Sequence, residues 1–298
     1  MDFPSSFTII SDEVSQDLPE IGNFLRRFQL SGFELRSMFG RAFKDLTPAD
    51  LAEISKTARG EGWKIYGCSS PVLKCEIDDE AGIKEHVEIF KHSIEAAKAV
   101  DASLIRVFTF LRRPEAPDAE RLDKIAGHLR TLIELAAPAG IRVGVENEAS
   151  CIIASADETL ALIPRMPKTG WGVIWDPCNA LYVPEGTQPV TKLFPQLYPS
   201  VIHIHIKDAA RRKTPGADKL LAECVPVGLG DVNWRDHFAE IRRLGYQGML
   251  SLETHWRVVQ IDEHLLHLPA GYGFSKGGEE ASAVCLRNMQ GLWPVLAA

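Results

Sequence analysis

Eight times along this chain a short apolar or β-branched run is followed by a longer stretch of helical periodicity, and few architectures accommodate that rhythm. The runs are "FTIIS" from Phe7, "GFELR" from Gly32, "KIYGCSS" from Lys64, "ASLIRVF" from Ala102, "IRVGVEN" from Ile141, "WGVIWD" from Trp171, "VIHIHIKD" from Val201 and "MLSLET" from Met249. Between them lie amphipathic segments such as "IKEHVEIFKHSIEAAKAV" and "DAERLDKIAGHLRTLIELAAPAG", the second closed by a glycine suited to a helix C-cap. Strict alternation predicts a parallel sheet, because parallel neighbours must be joined by a crossover. Eight such units in 298 residues fit a (β/α)8 TIM barrel, which typically takes roughly 250 residues plus loop insertions.

No linker interrupts the series, so residues 1–298 read as one α/β domain. A doubly wound open sheet is the competing architecture, but the first βα turn, "FTIISDEVSQD", carries no glycine-rich dinucleotide fingerprint. The longest connections, residues 209–232 and 255–276, are expected to be loops over the C-terminal face of the barrel.

Composition narrows the partners. A formal net charge of −7 argues against a surface that neutralises a phosphate backbone, so no nucleic acid is expected. The six cysteines are scattered and form no Cys-x-x-Cys pair, which suggests reduced thiols rather than a disulfide framework or a thiolate zinc site. The N-terminus lacks a basic segment followed by a long apolar one, and no later run approaches the roughly 20 apolar residues of a membrane span. A cytoplasmic location without membrane contact is the expectation.

In such a barrel the chemistry sits at the C-terminal ends of the strands. Those ends are mostly acidic here: Asp12 and Glu13 after the first run, Glu34 and Arg36 on the second, Glu146 on the fifth, Asp176 on the sixth and Glu253 on the eighth. On the seventh, alternation sets Ile202, Ile204 and Ile206 on one face and His203, His205 and Lys207 on the other. The same test turns Gly144 and Glu146, Ile174 and Asp176, and Ser251 and Glu253 toward the lumen. Three carboxylates crowded in a cavity of low dielectric raise one another's pKa unless a cation is present. Three oxygen ligands and one imidazole suit Mn²⁺, Mg²⁺ or Co²⁺, with Zn²⁺ also compatible.

The segments "GVENEAS", "DPCNA", "HIHIKDA", "GLGDVNW" and "GYQGMLSLE" occur in an order that resembles the xylose isomerase-like TIM-barrel superfamily. That superfamily holds sugar isomerases, ketose 3-epimerases, hydroxypyruvate isomerase, inosose dehydratase and, more distantly, endonuclease IV. The resemblance implies that Glu146, Asp176, His205 and Glu253 hold one divalent metal, Mn²⁺ foremost, and that Glu146 and Glu253 also act on the substrate proton. It further implies a substrate contact for Arg211, six residues beyond His205. Two positions depart from the epimerases: Asn179 stands where they carry a substrate-binding histidine, and Asn147 where they carry proline.

The expected chemistry is proton abstraction beside a carbonyl, through an enediolate stabilised by a metal ion acting as Lewis acid. Such a site serves a sugar isomerase or epimerase acting on an unphosphorylated sugar or polyol ketone. The alternative is a lyase or dehydratase acting on a keto-cyclitol or 3-keto-glycoside. A non-catalytic binding barrel and an endonuclease IV-like nuclease rank behind both. Glu34 and Arg36 are expected to pair with each other or to touch substrate, His203 to support His205, and Lys207 to neutralise a carboxylate or meet a sugar oxygen. Asn179 and Trp256 are expected to line the substrate, and His264 and His267 to lie on the surface of the last long loop. A homodimer or homotetramer is expected, as in other barrels of this kind.

Overall fold

The computed structural model describes residues 6–183, 190–213, 220–259 and 272–293. All eight runs are strands: β1 (Phe7–Ile9), β2 (Gly32–Leu35), β5 (Lys64–Ser69), β6 (Leu104–Val107), β7 (Arg142–Glu146), β8 (Trp171–Trp175), β9 (Val201–Ile206) and β12 (Met249–Leu252). The small hairpin β3 (Ser37–Met38) with β4 (Arg41–Ala42) follows β2, and the antiparallel ribbon β10 (Ala209–Lys213) with β11 (Leu220–Cys224) follows β9. The eight long strands pair in parallel in the order β1-β12-β9-β8-β7-β6-β5-β2. A bridge between Ile10 and Glu34, and the Thr8 hydroxyl donating to Gly32 O at 2.7 Å, bring the two ends of that series together. The result is a TIM barrel.

Five of the crossover helices begin where the sequence supplies a cap. Asp17, Thr47, Asp79, Asp118 and Ser155 each accept a backbone N–H three residues on. They start α1 (Leu18–Phe28), α2 (Pro48–Glu61), α3 (Glu80–Ala99), α4 (Ala119–Ala136) and α5 (Ala156–Leu162), each cap contributing about 1 kcal/mol. In α4 the buried positions Leu122, Ile125, Ala126, Leu129, Leu132 and Ile133 recur at helical spacing and face the sheet. α6 (Pro177–Ala180), α7 (Val190–Leu197) and α8 (Trp234–Arg243) follow, and a C-terminal helix spans Gly278–Leu292. No helix of the described residues is long and apolar enough to cross a membrane.

The lower lumen is a packed apolar floor, built by pairing absent side chains with large ones. A Cβ at Gly144 would lie 2.5 Å from Ile174 Cδ1, and one at Gly172 would lie 2.4 Å from Ile202 Cγ2. Only glycine leaves room for these branched chains. Ile202 thereby departs from the alternation expected of β9. The β8–β9 register passes from Val173↔Val201 to Ile174↔His203 and skips Ile202, a bulge that turns it inward over Gly172.

The connection over residues 209–232 is more ordered than a loop. Besides the ribbon, it contains a turn gathered by Asp208, whose Oδ1 accepts N–H groups from Ala209 (2.9 Å) and Val232 (3.2 Å). Its Oδ2 accepts from Gly228 (2.8 Å) and Gly230 (3.1 Å). A Cβ at Gly230 would lie 2.1 Å from Asp208 Oδ1, so the glycine is what lets the carboxylate close the turn. Of residues 255–276, a single helical turn, Tyr272–Ser275, is the one regular element among those described. Asp208→Ala leaves four amides without their acceptor and is expected to lower the stability to urea unfolding by about 3 kcal/mol, with the slope of the transition unchanged.

Candidate functional site

Above the apolar floor the strand ends bring their polar side chains together. One ligand atom each from Glu146, Asp176, His205 and Glu253 lies within 4.8 Å of the others, and all four residues are buried. His205 Nδ1 is 3.0 Å from Glu146 Oε1 and 3.8 Å from Glu253 Oε2. Lys207 Nζ stands 2.8 Å from both Asp176 Oδ2 and Glu253 Oε2. These four side chains come from β7, β9 and the residues just beyond β8 and β12.

The local sequence explains two of the placements. In "DPCNA" Asp176 caps α6, its Oδ1 accepting N–H groups from Cys178 (2.8 Å) and Asn179 (3.2 Å) behind a proline at the first helical position. Its Oδ2 is left to face Lys207. Asn147 ties β7 to β8: its amide donates to Asp176 O (2.8 Å) and Ala154 O (2.9 Å), and its Oδ1 accepts from Asp176 N (2.8 Å). Asn179 turns the same way, donating to Asn147 O at 2.9 Å and reaching Glu146 Oε1 at 3.4 Å. Both asparagines are thus held within the wall of the site.

A second group joins the first through Glu253. Arg36 reaches Asp12 (2.9 Å), Glu13 (2.6 Å) and Glu253 Oε1 (2.5 Å), and Arg257 holds the other Glu13 oxygen at 2.9 Å. The expected Glu34–Arg36 pair is not formed. Glu34 instead crosses the lumen, its Oε2 lying 2.9 Å from His203 Nε2 and 3.1 Å from His205 Nε2 while the Ser69 hydroxyl donates to Oε1. Arg211 also departs from expectation. Its guanidinium donates to Leu181 O (2.6 Å) and Val183 O (2.7 Å), satisfying carbonyls that the short helix α6 leaves open. Trp256 packs, part-buried, against the hydrophobic core. His264 and His267 lie outside the described residues.

Arg106 belongs to the site although the strand ends do not point to it. Buried on β6 in register with Gly144, it sets Nη1 3.1 Å from Glu146 Oε2 and its guanidinium 4.6 Å from the centre of the Phe108 ring. Its signal in the sequence is a lone cation inside "SLIRVF", on the lumen parity.

Ion pairs connect all these groups into one network of six buried carboxylates, Asp12, Glu13, Glu34, Glu146, Asp176 and Glu253. Among the described residues, Arg36, Arg106, Lys207 and Arg257 supply four permanent positive charges, two fewer than these carboxylates. Burial raises Asp176 to about 6 even with Lys207 beside it. Burial also works against a charged His205, yet Glu34 and Glu146 hold that imidazole well above its ordinary range. A divalent cation would cancel the deficit. Glu146 Oε2 and Asp176 Oδ2 are buried and make no hydrogen bond, the neighbouring Arg106 and Lys207 being at ion-pair distance only. The donor set and its charge therefore fit a divalent metal held by Glu146, Asp176, His205 and Glu253.

A family model described as xylose isomerase-like TIM barrel matches residues 24–280. Among solved structures, the IolI protein with a bound zinc atom superposes with a TM-score of 0.71 at 14% identity, covering 97% of this chain and 98% of that one. D-allulose 3-epimerase from Methylomonas sp. gives 0.70 at 14% identity, covering 98% of this chain and 100% of that one. The probable 3-DHS dehydratase AsbF from Bacillus anthracis gives 0.68 at 16% identity, covering 93% and 98%. By sequence, an uncharacterised protein of Methanocaldococcus jannaschii is 24% identical over 174 residues, which span 56% of this chain and 56% of that protein.

Glu13 offers a test of the network by pH. Burial would raise its carboxyl, but Arg257, His255 and Arg36 hold it at about 2, below the ordinary 4.5. A depressed folded-state pKa contributes stability above the unfolded value, and that contribution is lost as pH falls through the folded one. Glu13→Gln is expected to cost roughly 3 kcal/mol at neutral pH, with the gap to the wild type closing between pH 4.5 and about 2 in denaturant titrations.

Proposed function

The chain belongs to the xylose isomerase-like TIM-barrel family, and from that membership we propose that it is a divalent-metal-dependent isomerase or epimerase of an uncharged sugar or related polyol ketone. The observation that carries this reading is the convergence of Glu146, Asp176, His205 and Glu253 within 4.8 Å in a network whose described carboxylates outnumber its lysine and arginine side chains by two. When bound there, a divalent ion supplies the charge that stabilises an enediolate as a proton leaves the carbon beside a carbonyl. Mn²⁺, Mg²⁺, Co²⁺ and Zn²⁺ all suit three carboxylate oxygens and an imidazole nitrogen.

The residues of the chain do the rest. Glu253 is kept ionised well below its ordinary range, since Lys207, His255 and Arg36 outweigh its burial. Glu146 is lowered too, by His205 and Arg106 against burial. Each carboxylate is thus able to accept a proton, and two of them on different strands allow one to take it and the other to return it. Return at the neighbouring carbon isomerises; return to the opposite face epimerises. Arg106 keeps a buried Nε without a hydrogen-bond partner, a donor suited to a substrate oxygen. With a divalent ion in place, the network balances.

A second reading, a lyase or dehydratase acting on a keto-cyclitol or 3-keto-glycoside, draws on Asn179. At the position of the epimerases' substrate-binding histidine it is bonded into the wall, which removes a sugar contact typical of them. The same proton abstraction followed by loss of a β-substituent gives that reaction.

Product analysis separates the two. Metal-loaded protein in D₂O is expected to place deuterium beside the carbonyl of a ketose and to lose this activity on chelation, whereas elimination from 3-keto-glycosides without ketose exchange would favour the lyase. Glu146→Gln and Glu253→Gln are each expected to lower turnover at least 100-fold. Metal-loaded protein that exchanges no carbon-bound proton in any of these substrates would exclude both readings.

A further inference from the structure

We propose that Glu34 is a positioning residue that fixes the tautomer of His205, presenting the Nδ1 lone pair to the carboxylate cluster and so setting how tightly a divalent cation is held. The inference rests on the metal-centre reading above and adds to it a residue outside the four ligands. Glu34 rises from β2 and meets His203 and His205 of β9 across the lumen, for the two strands are not neighbours in the sheet.

The argument is one of donors and acceptors. An ionised carboxylate only accepts hydrogen bonds, and Glu34 Oε2 faces two imidazole Nε2 atoms, at 2.9 and 3.1 Å, so both carry their protons on Nε2. All three residues are at most 1% exposed, so no solvent competes for those protons. The Ser69 hydroxyl donates to the remaining Glu34 oxygen and fixes the carboxylate plane. His205 Nδ1 points the other way, 3.0 Å from Glu146 Oε1 and 3.8 Å from Glu253 Oε2. A cation in the cluster would take the place of the Nδ1 proton that Glu146 now accepts and meet the lone pair of a neutral imidazole whose remaining proton Glu34 keeps on Nε2.

Without Glu34 the preference reverses. The acceptor left beside His205 would be Glu146, the neutral imidazole would place its proton on Nδ1, and the lone pair would point away from the ligands. Holding a histidine ligand by its outer nitrogen also raises its basicity. The pairing accounts for the His-x-His spacing: His205 serves the cluster, and His203 holds the residue that orients it.

Calorimetric titration with Zn²⁺ tests the proposal. If wild-type protein binds no ion stoichiometrically, the metal-centre reading fails first. Given wild-type binding, folded Glu34→Gln is expected to bind 10- to 100-fold more weakly, and an affinity within twofold of wild type overturns the proposal. Should the variant not fold, wild-type protein labelled with ¹⁵N-histidine and loaded with ¹¹³Cd²⁺ gives the answer directly. Coupling of ¹¹³Cd to Nδ1 with a proton retained on Nε2 is the expected signature, and coupling to Nε2 overturns the proposal.

Discussion

Six carboxylates cannot share the mouth of a barrel unless cations come with them, because an unpaired buried charge costs several kcal/mol even after relaxation. That constraint reaches every part of the rim. β2 leads into Arg36, β6 carries Arg106, β9 runs on to Lys207, and the segment after β12 returns Arg257, each cation set against a carboxylate from a different strand. The barrel is therefore closed twice, by backbone pairing and by a ring of charges whose members lie far apart in the chain. Among the described residues, the carboxylates of that ring outnumber its lysine and arginine side chains by two.

Much of this was legible in the sequence. The strands were, because a parallel strand buried on both faces reads as a continuous apolar run and eight of them alternate with helices. Parity turned Glu146, Asp176, His205 and Glu253 to one side, and the structure brings their ligand atoms together. What parity cannot show is who stands across the lumen. Glu34 and Arg36 share a face, yet one finds the histidines of β9 and the other Asp12, Glu13 and Glu253, a choice fixed by the tilt of the closed sheet. Ile202 escaped because a bulge breaks the period of two on which the reading depends. Arg211, given a substrate contact by resemblance, sits on a ribbon strand, and its carbonyl partners become visible only once α6 ends beside it.

The asparagines show how one wall can be rebuilt without disturbing the ligands. Asn147 and Asn179 each spend their amides on backbone carbonyls next to Glu146 and Asp176. They tie together the two strand ends that carry Glu146 and Asp176. Ligand geometry and substrate contact are in this way separable: one is fixed by hydrogen bonds within the wall, the other by whatever projects from it.

The hollowed glycines have a consequence for traffic. With Ile174 and Ile202 seated over Gly144 and Gly172, branched side chains take the space inside the barrel at that level. On the proposed function, a substrate would reach Glu146, Asp176, His205 and Glu253 from the strand ends rather than through that filling.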